Sequence, residues 1–271
     1  VAVWKVAAAI IAGLGVAVAL SPEVRDGVLN HAGPEVFSRV ALRSNTVRSR
    51  VLFVGNSYTF VNDLPACVSR IDPGLATFSV TAGGQTLSGH LREGMALREI
   101  ASGRYDVVVL QEQSLAPLIS PDAFESALSE FARATRAQHA RPILYETWSR
   151  ARPGDPAFNA TDTSGPADMD SRLEEEFRSA AGKFGLERAP VGAAFSLLRI
   201  RGRGERLIAE DGSHPTPEGT YLAALVIVQA IIKKPLPDSA PRCFTTSGVD
   251  AHELLSTSHD VDPNAGTGAS R

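Results

Sequence analysis

Three side chains of this 271-residue chain have the types and the order that acyl transfer from an ester requires. Ser57 lies in Gly55-Asn56-Ser57-Tyr58-Thr59, directly after the apolar run Val51-Leu52-Phe53-Val54. A serine at such a strand-to-helix turn offers its hydroxyl to a crevice and its own N–H at a helix N-terminus. A serine hydroxyl is a poor nucleophile until a base takes its proton. Asp211-Gly212-Ser213-His214-Pro215 supplies that base. Its carboxylate accepts from one imidazole nitrogen and fixes the tautomer, which leaves the other nitrogen for Ser57. The reaction also needs donors for the developing oxyanion. The Ser57 N–H is one and the Gly84 N–H, in Gly83-Gly84-Gln85-Thr86, is a second. The side-chain amide of Gln111, directly after Asp106-Val107-Val108-Val109-Leu110, is the third, with Gln113 as second choice. Taken singly, each has a plain structural reading: a small-residue turn, a capping Asp beside a surface His, a glycine turn, an amide bonding loop backbone. Their placement at the ends of apolar runs and before the last helix is what joins them.

The elements that must hold these groups are legible as an alternation. Short apolar runs at 51–54, 76–82, 106–110 and 142–147 read as buried strands, with a further short one near 189–191. Between them, 62–71, 87–101, 122–139, 168–184 and 217–232 have helical spacing. Strands alternating with helices imply βαβ units, hence an α/β fold whose parallel sheet is covered on both faces. One domain from about residue 45 to 237 is expected. Ligands of such sheets bind beyond the carboxyl ends of the strands, where Ser57, Gly84, Gln111 and the Trp148–Arg150 segment fall.

Composition narrows the function. Hydrophobic residues make up 44% and charged residues 21%, so the chain has a core to bury and is no polyelectrolyte. A net charge of −3 argues against a general nucleic-acid binder. Two cysteines exclude a disulfide scaffold. No dinucleotide fingerprint, P-loop or metal-ligand spacing occurs, so a mechanism with no cofactor and no metal is expected.

From Val51 to Ile232 the chain resembles the SGNH (GDSL-like) hydrolase superfamily. The first block is similar at residues 51–59, the second at Ala82-Gly83-Gly84-Gln85-Thr86, and the last matches closely at Asp211-Gly212-Ser213-His214-Pro215. The resemblance implies a three-layer αβα sandwich with a central parallel sheet, flavodoxin-like in order. It implies Ser57 as nucleophile and first oxyanion donor, Gly84 as second donor, His214 as base and Asp211 as its orienting partner. Two departures stand out. Asn56 replaces the usual Asp, and Leu110-Gln111-Glu112-Gln113-Ser114 replaces Gly-x-Asn-Asp. The latter is similar to branches, some carbohydrate acetylesterases among them, in which a Gln takes the oxyanion role.

The expected function is therefore a serine esterase acting on small esters, O-acetyl groups on carbohydrate foremost. An O-acyltransferase using a saccharide acceptor and a non-catalytic glycan-binding domain are the alternatives. Trp148 and Arg150 are candidates for the crevice wall, and His90 and Glu112 for support of the site. Arg199, Arg201, Arg203 and Arg206 read as a solvated loop, with acidic substrate or lipid headgroups as the functional alternative. Val6 to Leu20 is uncharged and apolar behind Lys5, so residues 1–22 are expected to be a signal peptide or a membrane anchor, and the protein exported or anchored. An exported protein allows Cys67 and Cys243 to pair or to remain separate thiols. Residues 245–271 are polar and are expected to form a flexible tail.

Overall fold

The computed structural model describes residues 35–39, 47–244 and 250–261; the expected signal or anchor segment lies outside them. Val51 and Phe53 alternate with Leu52 and Val54, and all four are completely buried. A strand apolar on both faces must be covered on both. The strands are β1 (Glu35–Arg39), β2 (Ser49–Gly55), β3 (Leu75–Thr81), β4 (Val107–Gln111), β5 (Arg141–Tyr145) and β6 (Glu187–Ala189), in the sheet order β1-β3-β2-β4-β5-β6. β2 to β6 are parallel, as expected, whereas β1 pairs antiparallel with β3 and begins ahead of the expected domain boundary. The helices are α1 (Ser57–Phe60), α2 (Leu64–Ile71), α3 (Leu87–Glu93), α4 (Met95–Ala101), α5 (Ala116–Ile119), α6 (Pro121–Ala137), α7 (Pro156–Ala160), α8 (Pro166–Phe184), α9 (Val191–Ile200), α10 (Pro217–Ile232) and α11 (Ala251–Asp260).

Two apolar layers close the sandwich. Val51, Phe53, Val107 and Val109 pack against α2, α9, α10 and α11. Leu52, Val54, Val108 and Leu110 pack against α3, α4, α6 and α8. The expected α10 coincides with the observed one: a helix apolar all round is a buried helix. The expected helix over 87–101 is two, because Gly94 takes φ +73° and caps one while starting the next. Helix α9 is an addition to the expected helices, and its first turns bury Val191, Ala194, Phe195 and Leu198 at helical spacing.

The expectation of a flexible tail fails at residues 251–260. Ala251, Leu254, Leu255 and Ser258 make a buried stripe at helical spacing, and the Asp250 carboxylate accepts from the His252 N–H at 3.0 Å to cap the helix. Cys67 and Cys243 form a disulfide with Cα atoms 5.1 Å apart. A bridge across 176 residues of sequence is worth on the order of 5 kcal/mol if it acts through the unfolded chain. It pins the segment after α10 onto α2, beside the elements that carry Ser57. The basic stretch is not an open cationic face. Arg199 pairs with Asp170, Arg201 with Asp260 at 2.8 Å and Arg203 with Glu253 at 3.9 Å.

Candidate active site

β2 ends at Gly55, and Asn56 turns the chain by capping α1, its side-chain oxygen accepting from the Tyr58 N–H at 3.1 Å. Ser57 is thus the first residue of a helix, where its own N–H has no intrahelical acceptor. The last loop bends back through Gly212, whose φ of +75° suits glycine, and a Cβ there would meet the Arg152 side chain at 2.7 Å. The loop brings His214 over Ser57, with Nε2 at 2.9 Å from Ser57 Oγ. Asp211 Oδ2 lies 2.5 Å from His214 Nδ1. Its Oδ1 accepts from the N–H groups of Ser213 and His214 at 2.8 and 2.9 Å. Burial pushes the Asp211 carboxyl up, but the bonds from His214 and from the Ser213 and His214 amides outweigh it and hold the pKa below its ordinary value. An ionised carboxylate therefore faces the imidazole. The three expected residues form one connected chain, Asp211–His214–Ser57.

Ser57, His214, Gly84 and Gln113 line a cavity of about 180 Å³, together with Asn56, Tyr58, Gly83, Ser114, Arg150 and Ser213. The Ser57 and Gly84 N–H groups have no hydrogen-bond partner among the described residues. Gly84 sits at φ +65° with open space where a Cβ would be, so its backbone borders the cavity. Gln111 does not stand where the sequence placed it. Its Oε1 accepts from Asn56 N–H at 2.8 Å and Thr59 Oγ1 at 2.9 Å, and its Nε2 donates to the Glu112 carbonyl at 2.5 Å. This amide is spent holding the nucleophile loop from below, and it is fully buried. Gln113, the second choice, has the free donor. Its Oε1 accepts from Leu115 and Ala116 N–H at 2.8 and 3.0 Å, which turns Nε2 the other way, and the residue lines the cavity.

Neighbouring groups lock this geometry. Trp148 is buried rather than part of the crevice wall. It stacks on Tyr58 at 4.5 Å and on Phe195 at 4.1 Å, and its indole N–H donates to the Ser213 carbonyl at 3.0 Å. Tyr58 OH and Ser213 Oγ are 2.8 Å apart, joining the residue after the nucleophile to the residue before the base. Asn62, at φ 55°, donates to the Pro215 carbonyl and Thr220 Oγ1 at 2.9 and 3.0 Å. Nothing in the residue pattern signals the Tyr58, Ser213 and Asn62 contacts beyond their place inside or beside the two motifs. His90 supports the site from behind: its Nε2 is 2.8 Å from the Gly55 carbonyl and donates to it. Burial lowers its pKa, so the ring is neutral.

Glu112 is fully buried and ties the second loop to the third, accepting from the N–H groups of Leu87 at 3.1 Å and Gln113 at 2.6 Å. Burial pushes its carboxyl up to about 7, against the pull of those two amides. In the unfolded chain the group ionises near its ordinary 4.5, so in between the folded protein keeps a proton that the unfolded chain has lost. That contribution, about 3 kcal/mol, is complete below the unfolded value and is lost as pH rises through about 7. Urea melts at about pH 5.5 and 8 should therefore show higher stability at the lower pH, and Glu112→Gln should flatten the difference by about 2 kcal/mol, the part of the contribution that falls between those two pH values. An unaltered slope in the variant would refute this assignment.

Comparison with solved structures gives the fold and the family. A protein from Slackia heliotrinireducens described as an SGNH hydrolase superposes with a TM-score of 0.60 at 32% identity, over 67% of this chain and 98% of that one. A DUF4886 family protein from Bacteroides uniformis superposes at 0.63 with 19% identity, over 78% of this chain and 93% of the other. A lipase/acylhydrolase from Enterococcus faecalis gives 0.53 with 15% identity, over 67% and 94%. The last two share the fold. No family model and no curated protein matches the chain. On its strand order, its helical layers and its identity to the Slackia protein over nearly all of that protein's length, the chain belongs to the SGNH hydrolases.

Proposed function

We propose that the protein is a serine esterase that removes small acyl groups, acetyl foremost, from a polar alcohol of carbohydrate type. The observation that carries this reading is the 2.9 Å contact of Ser57 Oγ with His214 Nε2, backed by Asp211. His214 takes the Ser57 proton as Oγ bonds to the ester carbonyl carbon and the carbonyl electrons move onto oxygen. The Ser57 and Gly84 N–H groups and the Gln113 amide stabilise that oxyanion. Its collapse breaks the bond to the alcohol oxygen, which receives the proton from His214. Water then repeats the sequence on the acyl-enzyme, giving its proton to His214, and Ser57 leaves with that proton restored. The balance is ester plus water to acid plus alcohol.

The preference for a short acyl group rests on the cavity, which has about 180 Å³ and no aliphatic side chain among its lining residues. The hydroxyl, amide and guanidinium groups of that lining suit a polyhydroxylated alcohol. The Cys67–Cys243 bridge supports an oxidising location outside the cytoplasm. No helix among the described residues is long and apolar enough to cross a membrane.

A fluorophosphonate reagent should label Ser57 alone, and nitrophenyl esters from acetate to octanoate should be hydrolysed with the acetate fastest. Absence of both labelling and hydrolysis overturns the reading in favour of a binding domain. Acetyl transfer to an added sugar in preference to water overturns it in favour of an acyltransferase.

A further inference from the structure

We propose that Arg150 is an anion-recognition group of the cavity, and that the alcohol portion of the substrate carries a carboxylate. The proposal rests on the serine-esterase reading. Arg150 is half-buried and lines the cavity beside Ser57 and His214. The residue before it is anchored. Ser149 N–H donates to Asp170 Oδ1 at 2.9 Å, and Ser149 Oγ donates to the Arg150 carbonyl at 3.2 Å. Through Nη1, the guanidinium donates to Tyr58 OH and Ser213 Oγ, both at 2.5 Å. Those two bonds use both Nη1 hydrogens. A guanidinium has five N–H donors in a planar fork, so the Nε and Nη2 edge is left without a partner among the described residues.

Among the described residues the charge is also unpaired. Arg48, Arg141, Arg188 and Arg199 each have a carboxylate partner, whereas the Arg150 guanidinium bonds only the hydroxyls of Tyr58 and Ser213. Among the described residues no acidic side chain lines the cavity, and Asp211 is committed to His214 and two backbone amides. Scaffolding alone does not account for a cation here, because Tyr58 OH and Ser213 Oγ already bond each other directly at 2.8 Å. An open planar edge and a single positive charge match a carboxylate, which takes two parallel N–H bonds. A phosphate dianion would keep part of its charge unmatched, since Arg150 is the only Lys or Arg in the lining. The side of the ester follows from the mechanism. His214 must protonate the alcohol oxygen, and Arg150 is bonded to the residue before His214, whereas Gly84 and Gln113 stand on other loops.

The test compares acetate release from acetoxyacetate and acetoxyacetamide, which differ in the charge on the alcohol portion. The wild-type protein should favour acetoxyacetate by about tenfold or more in kcat/KM, mostly through KM, as a charge-assisted pair requires. Arg150→Met should bring the ratio to about one, and Arg150→Lys, keeping a charge without the fork, should retain part of it. Tyr58→Phe removes a hydroxyl but not the cation, so both rates fall and the ratio stays. Because each ratio is taken within one variant, a general loss of activity cancels. Monomethyl succinate and methyl succinamate, which carry the same change on the acyl side, should differ little. A larger preference there overturns the assignment of the charge to the alcohol. Equal rates on the first pair, in a protein that hydrolyses both and is labelled at Ser57, overturn the anion proposal and leave the esterase reading standing. No turnover of either ester and no labelling overturn both.

Discussion

Replacing Ser57 by alanine is expected to lower kcat/KM for an acetyl ester by about 10⁴- to 10⁶-fold, the loss that follows removal of a nucleophile from a proton-relaying set. The structure explains why the loss should be confined to chemistry. Among the described residues the one side-chain bond of Ser57 is to His214 at 2.9 Å, and the residue lines the cavity. Substitutions at such positions change stability by about 0.5 kcal/mol, which in a domain of this size moves the thermal midpoint by about 2 °C. His214→Ala should lose a similar factor, and the double variant should be little worse than either single one, because the groups act as a unit. Steady-state kinetics together with a thermal melt decide the matter. A well-folded Ser57→Ala protein keeping more than a few per cent of wild-type turnover would show that some other group attacks the ester.

Two glutamines two residues apart should fail in opposite ways. Gln113→Glu keeps the acceptor for Leu115 and Ala116 and removes the donor aimed at the cavity. Its expected cost is about 10²- to 10³-fold in kcat with KM little altered, the signature of a contact made in the transition state. Gln111→Ala should instead lose about 2–4 kcal/mol of stability, since it strands the Asn56 N–H, Thr59 Oγ1 and the Glu112 carbonyl in a buried site. Any activity it loses would come through a loosened nucleophile loop. Denaturant melts and kinetics on both variants separate the roles. A stable Gln111→Ala protein with a hundredfold lower kcat, beside an unaffected Gln113→Glu, would reverse them.

The reason Gln113, the second choice, borders the cavity while Gln111 does not is geometric. Gln111 is still the last residue of β4, so the pleat fixes its direction along with Val107 and Val109 and points it into the protein. Gln113 comes after the chain has left the sheet and is free to rise to the cavity edge. A boundary uncertain by two residues in the sequence decides which amide is the donor. Trp148 and Arg150 are a similar case, since one is buried beneath the histidine loop and the other faces the cavity. The last helix, α11, shows its apolar spacing at 251, 254 and 255, but ten residues of it become stable only against α9 and α10.

Local rules alone determined the alternating elements, the buried α10 and the nature of the Asp211–His214 unit, because hydrophobic period and short-range spacing are written in neighbouring residues. Only the folded sheet decided that His214 lies 2.9 Å from a serine 157 positions earlier, which glutamine borders the cavity, and that the Arg150 guanidinium bonds hydroxyls and no carboxylate among the described residues. Those facts depend on which strand ends share one edge and on the direction each side chain takes there, and neither quantity is carried by any local stretch of the chain.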